Sequence, residues 1–212
     1  MARFSVVVPA LDERADLERS LRAVGRAAQA IRTDPEVIVV VPYFDSAHRR
    51  LADSIGARVV VTDRTGVAAA RNCGARLATG QILVTMNADR LISPVAFAEI
   101  EWFLATGCYV GGGATQLAEC RSLAIDLAMV INRLTTYLNG LGGGMYWCRR
   151  DDFEAIGGFD ERVTTVEDFD FARRLRDHGM RTGRKFVNLR QAPVTTSCRR
   201  GPVTRNAYAH SR

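Results

Sequence analysis

From Gln81 to Arg90 an apolar run of strand length, Ile82-Leu83-Val84-Thr85-Met86, stops abruptly in the polar cluster Asn87-Ala88-Asp89-Arg90. One carboxylate, Asp89, and one amide, Asn87, stand two residues apart there. The carboxyl end of a buried strand is where open α/β sheets bind their ligands. The pair therefore raises the question of whether it holds a metal and a diphosphate. Three other apolar runs end in the same manner, in Asp12 and Glu13, in Asp45 and Ser46, and in Asp63 and Arg64. If the four runs are parallel strands, these ends lie along one sheet edge and can converge on one ligand.

The elements that must position them alternate. Phe4 to Val8 is a continuous, β-branched apolar run ended by Pro9, the pattern of a strand buried on both faces. Asp12 is placed to cap a helix carrying Leu17, Leu21, Val24, Ala28 and Ile31 at helical spacing. Strands over 37–41 and 58–61 follow, with a short helix at 47–54 between them. Thr65 is placed to cap a helix from Gly66 to about Ala78 that Gly80 ends, and the strand at 81–86 comes next. Strands alternating with helices predict right-handed crossovers and a mainly parallel, doubly wound, Rossmann-like α/β sheet with helices on both faces. Further on, the pattern predicts a helix over 94–104, a strand near 108–112 and a helix over about 119–139. That last helix has an apolar stripe of Leu123, Leu127, Val130, Ile131, Leu134 and Leu138. The stripe reads as core or, with Arg121 and Arg133 flanking it, as a groove or membrane-surface face. A glycine-rich turn at 140–144 leads into Met145-Tyr146-Trp147-Cys148. Thr165 precedes a helix over about 166–178, and extended pieces at 184–189 and 193–198 lead into a basic tail.

Composition limits the classes. At 212 residues and 47% hydrophobic, the chain has material for one full core. No apolar run approaches the ~20 residues that span a bilayer, and the start has no cleavable signal pattern; both point to the cytoplasm. Five scattered cysteines without metal-ligand spacing are expected to be reduced and mostly buried. The net charge of +6 is unevenly placed: residues 181–212 carry +8 and residues 1–180 carry −2. A basic end of this kind suits an anionic partner or is simply a solvated surface. No Gly-x-Gly-x-x-Gly and no Walker sequence follows the first strand, which argues against a dinucleotide enzyme or a P-loop NTPase.

Four blocks in order carry a resemblance. Ser5-Val6-Val7-Val8-Pro9-Ala10-Leu11-Asp12-Glu13 resembles the opening of the family 2 glycosyltransferases, which have the GT-A fold. Residues 66–80 (GVAAARNCGARLATG) resemble that family's arginine-asparagine helix, and Met86 to Arg90 its Asp-x-Asp segment. Gly157 to Glu161 (GGFDE), followed by 167–175 (EDFDFARRL), resembles its acceptor-side motif. The similarity covers roughly residues 4–198.

The resemblance implies an inverting, non-processive transferase, since the processive members' Gln-x-x-Arg-Trp segment is absent. It divides a single domain into a nucleotide-sugar half (1–106), an acceptor half (107–198) and a basic tail (199–212). Pro9, Ala10, Leu11 and Glu13 would line the nucleotide base pocket. Asp45 is the candidate for the acidic residue after the second strand, although Pro42-Tyr43-Phe44-Asp45-Ser46 departs from the usual Asp-Asp-Gly-Ser; the alternative is a helix cap. Arg71 would face the donor's base or diphosphate, where an arginine fork suits phosphate oxygens, or is a solvated helix residue. Asn72 secures the helix.

In the same reading, Asp89 would ligate Mg²⁺ or Mn²⁺ at the donor diphosphate, with Asn87 and Ala88 beside it. Asn87 replaces the first carboxylate of the motif, so metal affinity should be weakened. An ordinary strand-end turn is the competing reading. Asp168 would be the catalytic base and Glu167 its catalytic neighbour, which orients the acceptor or shares the role. Thr165-x-x-Asp168 also approaches a capping box. Gly144, Tyr146 and Trp147 would face the acceptor, with core packing the alternative for the two aromatics. Arg149 and Arg150 carry no assigned role, while Arg199 and Arg200 could close over the diphosphate.

The implied partners are a nucleotide-diphosphate sugar, a sugar or lipid-linked acceptor, and an anionic membrane contacted peripherally at its inner face. Nucleic acid is not expected. The rivals are a sugar-phosphate nucleotidyltransferase, which needs a glycine- and arginine-rich loop that Pro9 to Glu13 is not, and a non-catalytic binding or scaffold protein.

Overall fold

A computed structural model describes residues 3–10, 14–120, 127, 130, 141, 143–163 and 166–197. Four strands form the parallel part of one sheet: β1 (Phe4–Pro9), β2 (Glu36–Val41), β3 (Arg58–Val61) and β4 (Ile82–Met86). Their registers bring Val7 opposite Ile38 and Val6 opposite Val84. The strands β5 (Arg90–Leu91), β6 (Tyr109–Ala118), β7 (Met145–Arg149) and β8 (Lys185–Thr196) complete the order β3-β2-β1-β4-β7-β6-β8-β5. Beyond β4 the sheet is mixed. β7 runs antiparallel to both β4 and β6, β8 runs parallel to β6, and β5 pairs antiparallel with the end of β8.

Because side chains alternate across a strand, β1 feeds two cores. Val6 and Val8 join Leu17, Leu21 and Val24 of α1 (Arg14–Ala30) and Phe97 and Ile100 of α4 (Ala96–Ala105). Val7 faces the other way, among residues of α3 (Val67–Leu77), α5 (Arg150–Ala155) and α6 (Glu167–Arg181). The remaining helix, α2 (Ser46–Ile55), packs by Leu51 and Ile55 on the first core. The doubly wound α/β arrangement with helices on both faces is the one expected. At Gly74 an added Cβ would lie 2.4 Å from Val7 Cγ1, so glycine there lets α3 lie flat on β1 and β2.

Several local expectations are corrected. The strand expected near 108–112 runs on to Ala118, and the two extended pieces at 184–198 form one strand. That strand slips register where Ala114 opposite Leu189 gives way to Gln116 opposite Val194. Pro193, which cannot donate to a ladder, falls in the slip and made the strand read as two. The N-cap of α3 is Gly66, at φ 96°, without a side-chain cap, so Thr65 does not fill that role. Strand β5 and helix α5 were too short to read from pattern. Cys73, Cys108 and Cys148 are free, but Cys120, just beyond β6, is disulfide-bonded; spacing along the chain does not show which cysteines the sheet brings together. Most of the expected 119–139 helix, together with Asp12 and Thr165, lies outside the described residues. Leu127 and Val130 are helical and largely exposed. Among the described residues no helix is long and apolar enough to cross a membrane.

Candidate active site

The carboxyl ends of β1, β2 and β4 open on one edge, as the sequence predicts. Pro9 and Ala10 are buried there, Ala10 N donating to Val40 O at 2.8 Å. Leu11 and Glu13, the other expected base-pocket residues, lie outside the described residues. Asp45 serves α2: its Oδ1 accepts from His48 N at 3.0 Å and stands 3.0 Å from His48 Nδ1. Asp45 thus makes the helix-cap contact at the start of α2.

The centre of the edge is Arg71. It is fully buried, as Gly74 one turn later seats α3 on the sheet. One terminal nitrogen, Nη2, donates to Asn87 Oδ1 at 2.7 Å, and the other, Nη1, pairs with Asp168 Oδ1. Below, its Cζ lies 4.7 Å from the centroid of Phe159, which stacks on Phe171 at 4.1 Å. Arg71 is therefore not a solvated helix arginine. It joins the end of β4 to the first turn of α6.

Asp168 and Phe171 are three apart and share the inward face of α6, Phe171 buried and Asp168 retaining 23% side-chain exposure. The helix begins after Val166 with no side-chain cap bond, so the capping-box reading is not realised by the described residues. Glu167 is beside it in the same first turn. The GGFDE segment is fastened from behind. Asn72 Nδ2 donates to Phe159 O (2.8 Å) and Glu161 Oε1 (2.9 Å), Asn72 Oδ1 accepts from Phe159 N (2.9 Å), and Arg64 pairs with Glu161 at 2.6 Å. Asn72 secures this turn, the structural role expected of it, though its bonds leave its own helix.

On the other side of Asn87 the chain turns back. Arg90 N donates to Asn87 O at 3.1 Å, closing a turn in which Ala88 is buried and Asp89 half-exposed. Asp89 O accepts from Ser197 N at 3.0 Å, and Asp89 Oδ1 lies 3.3 Å from Arg90 Nε. Arg90 is the residue that reading the sequence missed. Its side chain is only 11% exposed, and Nη1 donates to Thr196 Oγ1 and to Gln116 Oε1 (3.4 Å). An arginine directly after a strand-end acid was the available signal.

Tyr146 and Trp147 are core residues. Trp147 is fully buried with its Nε1 donating to Gly113 O at 3.2 Å, and Tyr146 is 2% exposed with its ring edge-on to Phe171. Neither offers a ring face to an acceptor, because β7 is a central strand covered on both sides. The Tyr146 phenol nevertheless reports on the site. Its pKa is pushed well above the ordinary phenol value, by burial first and then by the negative charge of Asp168. Gly144, at φ 80° and buried, brings the chain into β7 against Arg90 and Gln116. Arg149 and Arg150 are pins, donating to Leu104 O and Gly80 O.

These residues fit a divalent cation poorly. Asn87 already turns its oxygen to the Arg71 guanidinium, which would compete with a cation for it, and its NH₂ cannot ligate a metal. The inner oxygen of Asp89 faces a guanidinium, and among the described residues no three acids, histidines or cysteines group together. Like charges 4 Å apart near a protein surface repel by about 4 kcal/mol per unit pair, so a cation beside Arg90 would be held weakly.

Comparison with known proteins agrees with the fold. A family model for glycosyl transferase family 2 matches residues 5–111, and a search of curated proteins gives no match. Among solved structures, the chain is similar to the mannosyltransferase PcManGT from Pyrobaculum calidifontis in complex with GDP-Man and Mn²⁺. The identity is 22% and the TM-score 0.68, over 92% of this chain and 56% of that one. It is similar to S. aureus TarS in complex with UDP-GlcNAc (14%, 0.74, 97% and 61%). It is also similar to glucosyl-3-phosphoglycerate synthase from Mycobacterium tuberculosis with Mn²⁺, UDP and glucosyl-3-phosphoglycerate (20%, 0.61, 89% and 70%). At such identities the likeness is one of fold, and the chain spans less than two thirds of the first solved structures it matches. With the family model spanning half the sequence and its motifs gathered at one sheet edge, the chain belongs to glycosyl transferase family 2 and has the GT-A fold.

Proposed function

We propose that the chain is the donor- and acceptor-binding core of an inverting glycosyltransferase. It would move a sugar from a nucleotide-diphosphate sugar to an acceptor hydroxyl, with Asp168 as general base. The observation that carries this reading is the Arg71 bridge. A buried guanidinium couples the strand-end turn where a donor diphosphate would lie to an inward-facing carboxylate of α6 that still reaches solvent. Family membership and the nucleotide sugars bound by proteins of the same fold support it.

In the reaction, the acceptor oxygen forms a bond to the anomeric carbon as the bond from that carbon to the diphosphate breaks. The electron pair of the broken bond leaves with the nucleoside diphosphate, and the acceptor's proton passes to Asp168. A single in-line displacement inverts the anomeric centre. Glu167, adjacent in the first turn of α6, orients the acceptor, and the N-terminus of that helix favours both carboxylates. Pro9, Ala10, Leu11 and Glu13 would hold the base. The halves 1–106 and 107–198 would bind donor and acceptor, the acceptor being a sugar or a lipid-linked sugar. The basic tail at 199–212 would meet an anionic membrane from its cytoplasmic side.

The test is turnover of UDP- and GDP-sugars, read as release of the nucleoside diphosphate with and without candidate acceptors. If no nucleotide sugar binds or turns over, and Asp168→Asn changes nothing, the chain is a binding or scaffold protein instead.

A further inference from the structure

Building on the glycosyltransferase reading, we propose that Arg90 is the built-in counter-charge for the donor diphosphate, occupying the place that a divalent cation would fill. Of the two side chains a cation would need here, Asn87 presents its oxygen to Arg71 at 2.7 Å, and Asp89 presents its inner oxygen to Arg90 Nε at 3.3 Å. Asp89 Oδ1 and Arg90 Nε are both buried and make no aligned hydrogen bond. Their contact is one of charge, and it neutralises the only acid in the turn.

Arg90 is held as a positioned group is held. It opens β5 opposite Thr196 of β8, and its Nη1 is anchored by the Thr196 hydroxyl and Gln116 Oε1. Gly144, at φ 80°, borders it: a Cβ at that position would stand in contact with Nε, at 3.4 Å. Among the described residues, Nη2 donates to no acceptor. A guanidinium stays protonated at any working pH and gives planar donors that match phosphate oxygens. With two hydrogen bonds from Nη1 and the ionic contact of Nε fixing the fork, and Nη2 uncommitted among the described residues, an anionic oxygen is the missing partner. The charges of Arg90, Arg71, Asp168 and Glu167 all reach the Tyr146 phenol, so Arg90 belongs to the same cluster as the base. Its charge therefore lies where the leaving diphosphate gathers negative charge.

Isothermal titration of UDP and GDP into the purified chain, in EDTA and in excess Mn²⁺, tests this directly. The preferred nucleotide should bind with affinities that agree within about threefold in the two media. Arg90→Gln, confirmed folded by circular dichroism, should weaken binding in EDTA by about tenfold or more, the loss of one charge-assisted hydrogen bond. Arg90→Lys, which keeps the charge and the packing stem but not the fork, should lie between. Mn²⁺ alone, followed by electron paramagnetic resonance, should bind the wild type more weakly than Arg90→Gln, in which Asp89 is released. Wild-type binding that EDTA abolishes and Mn²⁺ restores would overturn the assignment to Arg90 while leaving the transferase reading intact. So would a folded Arg90→Gln that binds like the wild type in EDTA. Failure of both nucleotides to bind in either medium would overturn the transferase reading and this inference together.

Discussion

Arg71 and Asp168, 97 residues apart in the chain, form an ion pair in which the arginine is fully buried and the carboxylate keeps about a quarter of its side-chain surface exposed. The asymmetry has a use. Arg71 cannot be solvated by anything but its partners, so it fixes the carboxylate, while the exposed part of Asp168 would stay open to an acceptor in the proposed reaction. Asp168→Asn should therefore lower kcat by about 10²- to 10⁴-fold, the usual contribution of a general base, while nucleotide affinity stays near the wild type. Steady-state kinetics beside a titration with UDP or GDP separates the two. An equal fall in both would argue for a purely structural pair.

Arg71→Met leaves Asp168 without its cation and Asn87 without its donor. Removing one partner of a fully buried pair costs about 3–5 kcal/mol. Because Asp168 reaches water, about 2–3 kcal/mol is expected here. The urea midpoint should fall at unchanged slope, and Arg71→Lys should not restore it, since one ammonium on a flexible stem does not bridge both acceptors in the plane of a guanidinium.

Asn72→Ala removes the three hydrogen bonds that fasten the GGFDE turn and strands the buried amide of Phe159. A loss of about 2–3 kcal/mol is expected, read by thermal unfolding. Hydrogen exchange should speed up first at residues 157–161.

The two tryptophans make the core assignment testable. Trp147 is fully buried and Trp102, on α4, is 63% exposed. Trp102→Phe should leave a blue-shifted emission that acrylamide barely quenches, whereas Trp147→Phe should leave a red-shifted, readily quenched one. Quenching of Trp147 in the folded protein would return it to consideration as an acceptor platform.

Glu36 ties the start of β2 to Ser5 and to the turn before β4, accepting from Ser5 Oγ at 2.6 Å and from Thr79 N at 2.7 Å. Burial alone would raise its carboxyl, but these bonds and nearby Arg58 bring it below the ordinary 4.5. A depressed carboxyl stabilises the fold above its unfolded value and loses that contribution as pH falls through the folded one. Melting temperatures of wild type and Glu36→Gln should therefore differ most above pH 4.5 and converge in more acidic buffer. A gap that stays constant would assign the effect to packing.

The parallel half of the fold was legible because β1 and β4 are buried throughout and β2 largely so, and even the partly exposed edge strand β3 keeps an unbroken valine run. The second half was less so. β6 is rich in glycine and β8 holds a proline at its register slip, so neither looks like a long strand. The site was legible where chemistry is local: Asn87, Asp89 and Asp168 do lie at the sheet edge. What the sequence hid was pairing. Nothing in residues 66–80 says that Arg71 is buried or that its partner lies on a helix nearly a hundred residues away, and nothing around Trp147 says that its strand is central. Arg90 escaped notice because a charge beside a charge on a turn usually means solvent; its burial depends on Thr196 and Gln116, which only the sheet brings near.

The place of β7 between β4 and β6 has a consequence for anyone wishing to divide the molecule. A cut after residue 106 would leave β4, fully buried in the whole protein, as an open edge whose backbone donors and acceptors face water. Residues 1–106 expressed alone should therefore clump or seek another strand. Co-expressed with the remainder, they should reassemble into one sheet, as a split reporter does.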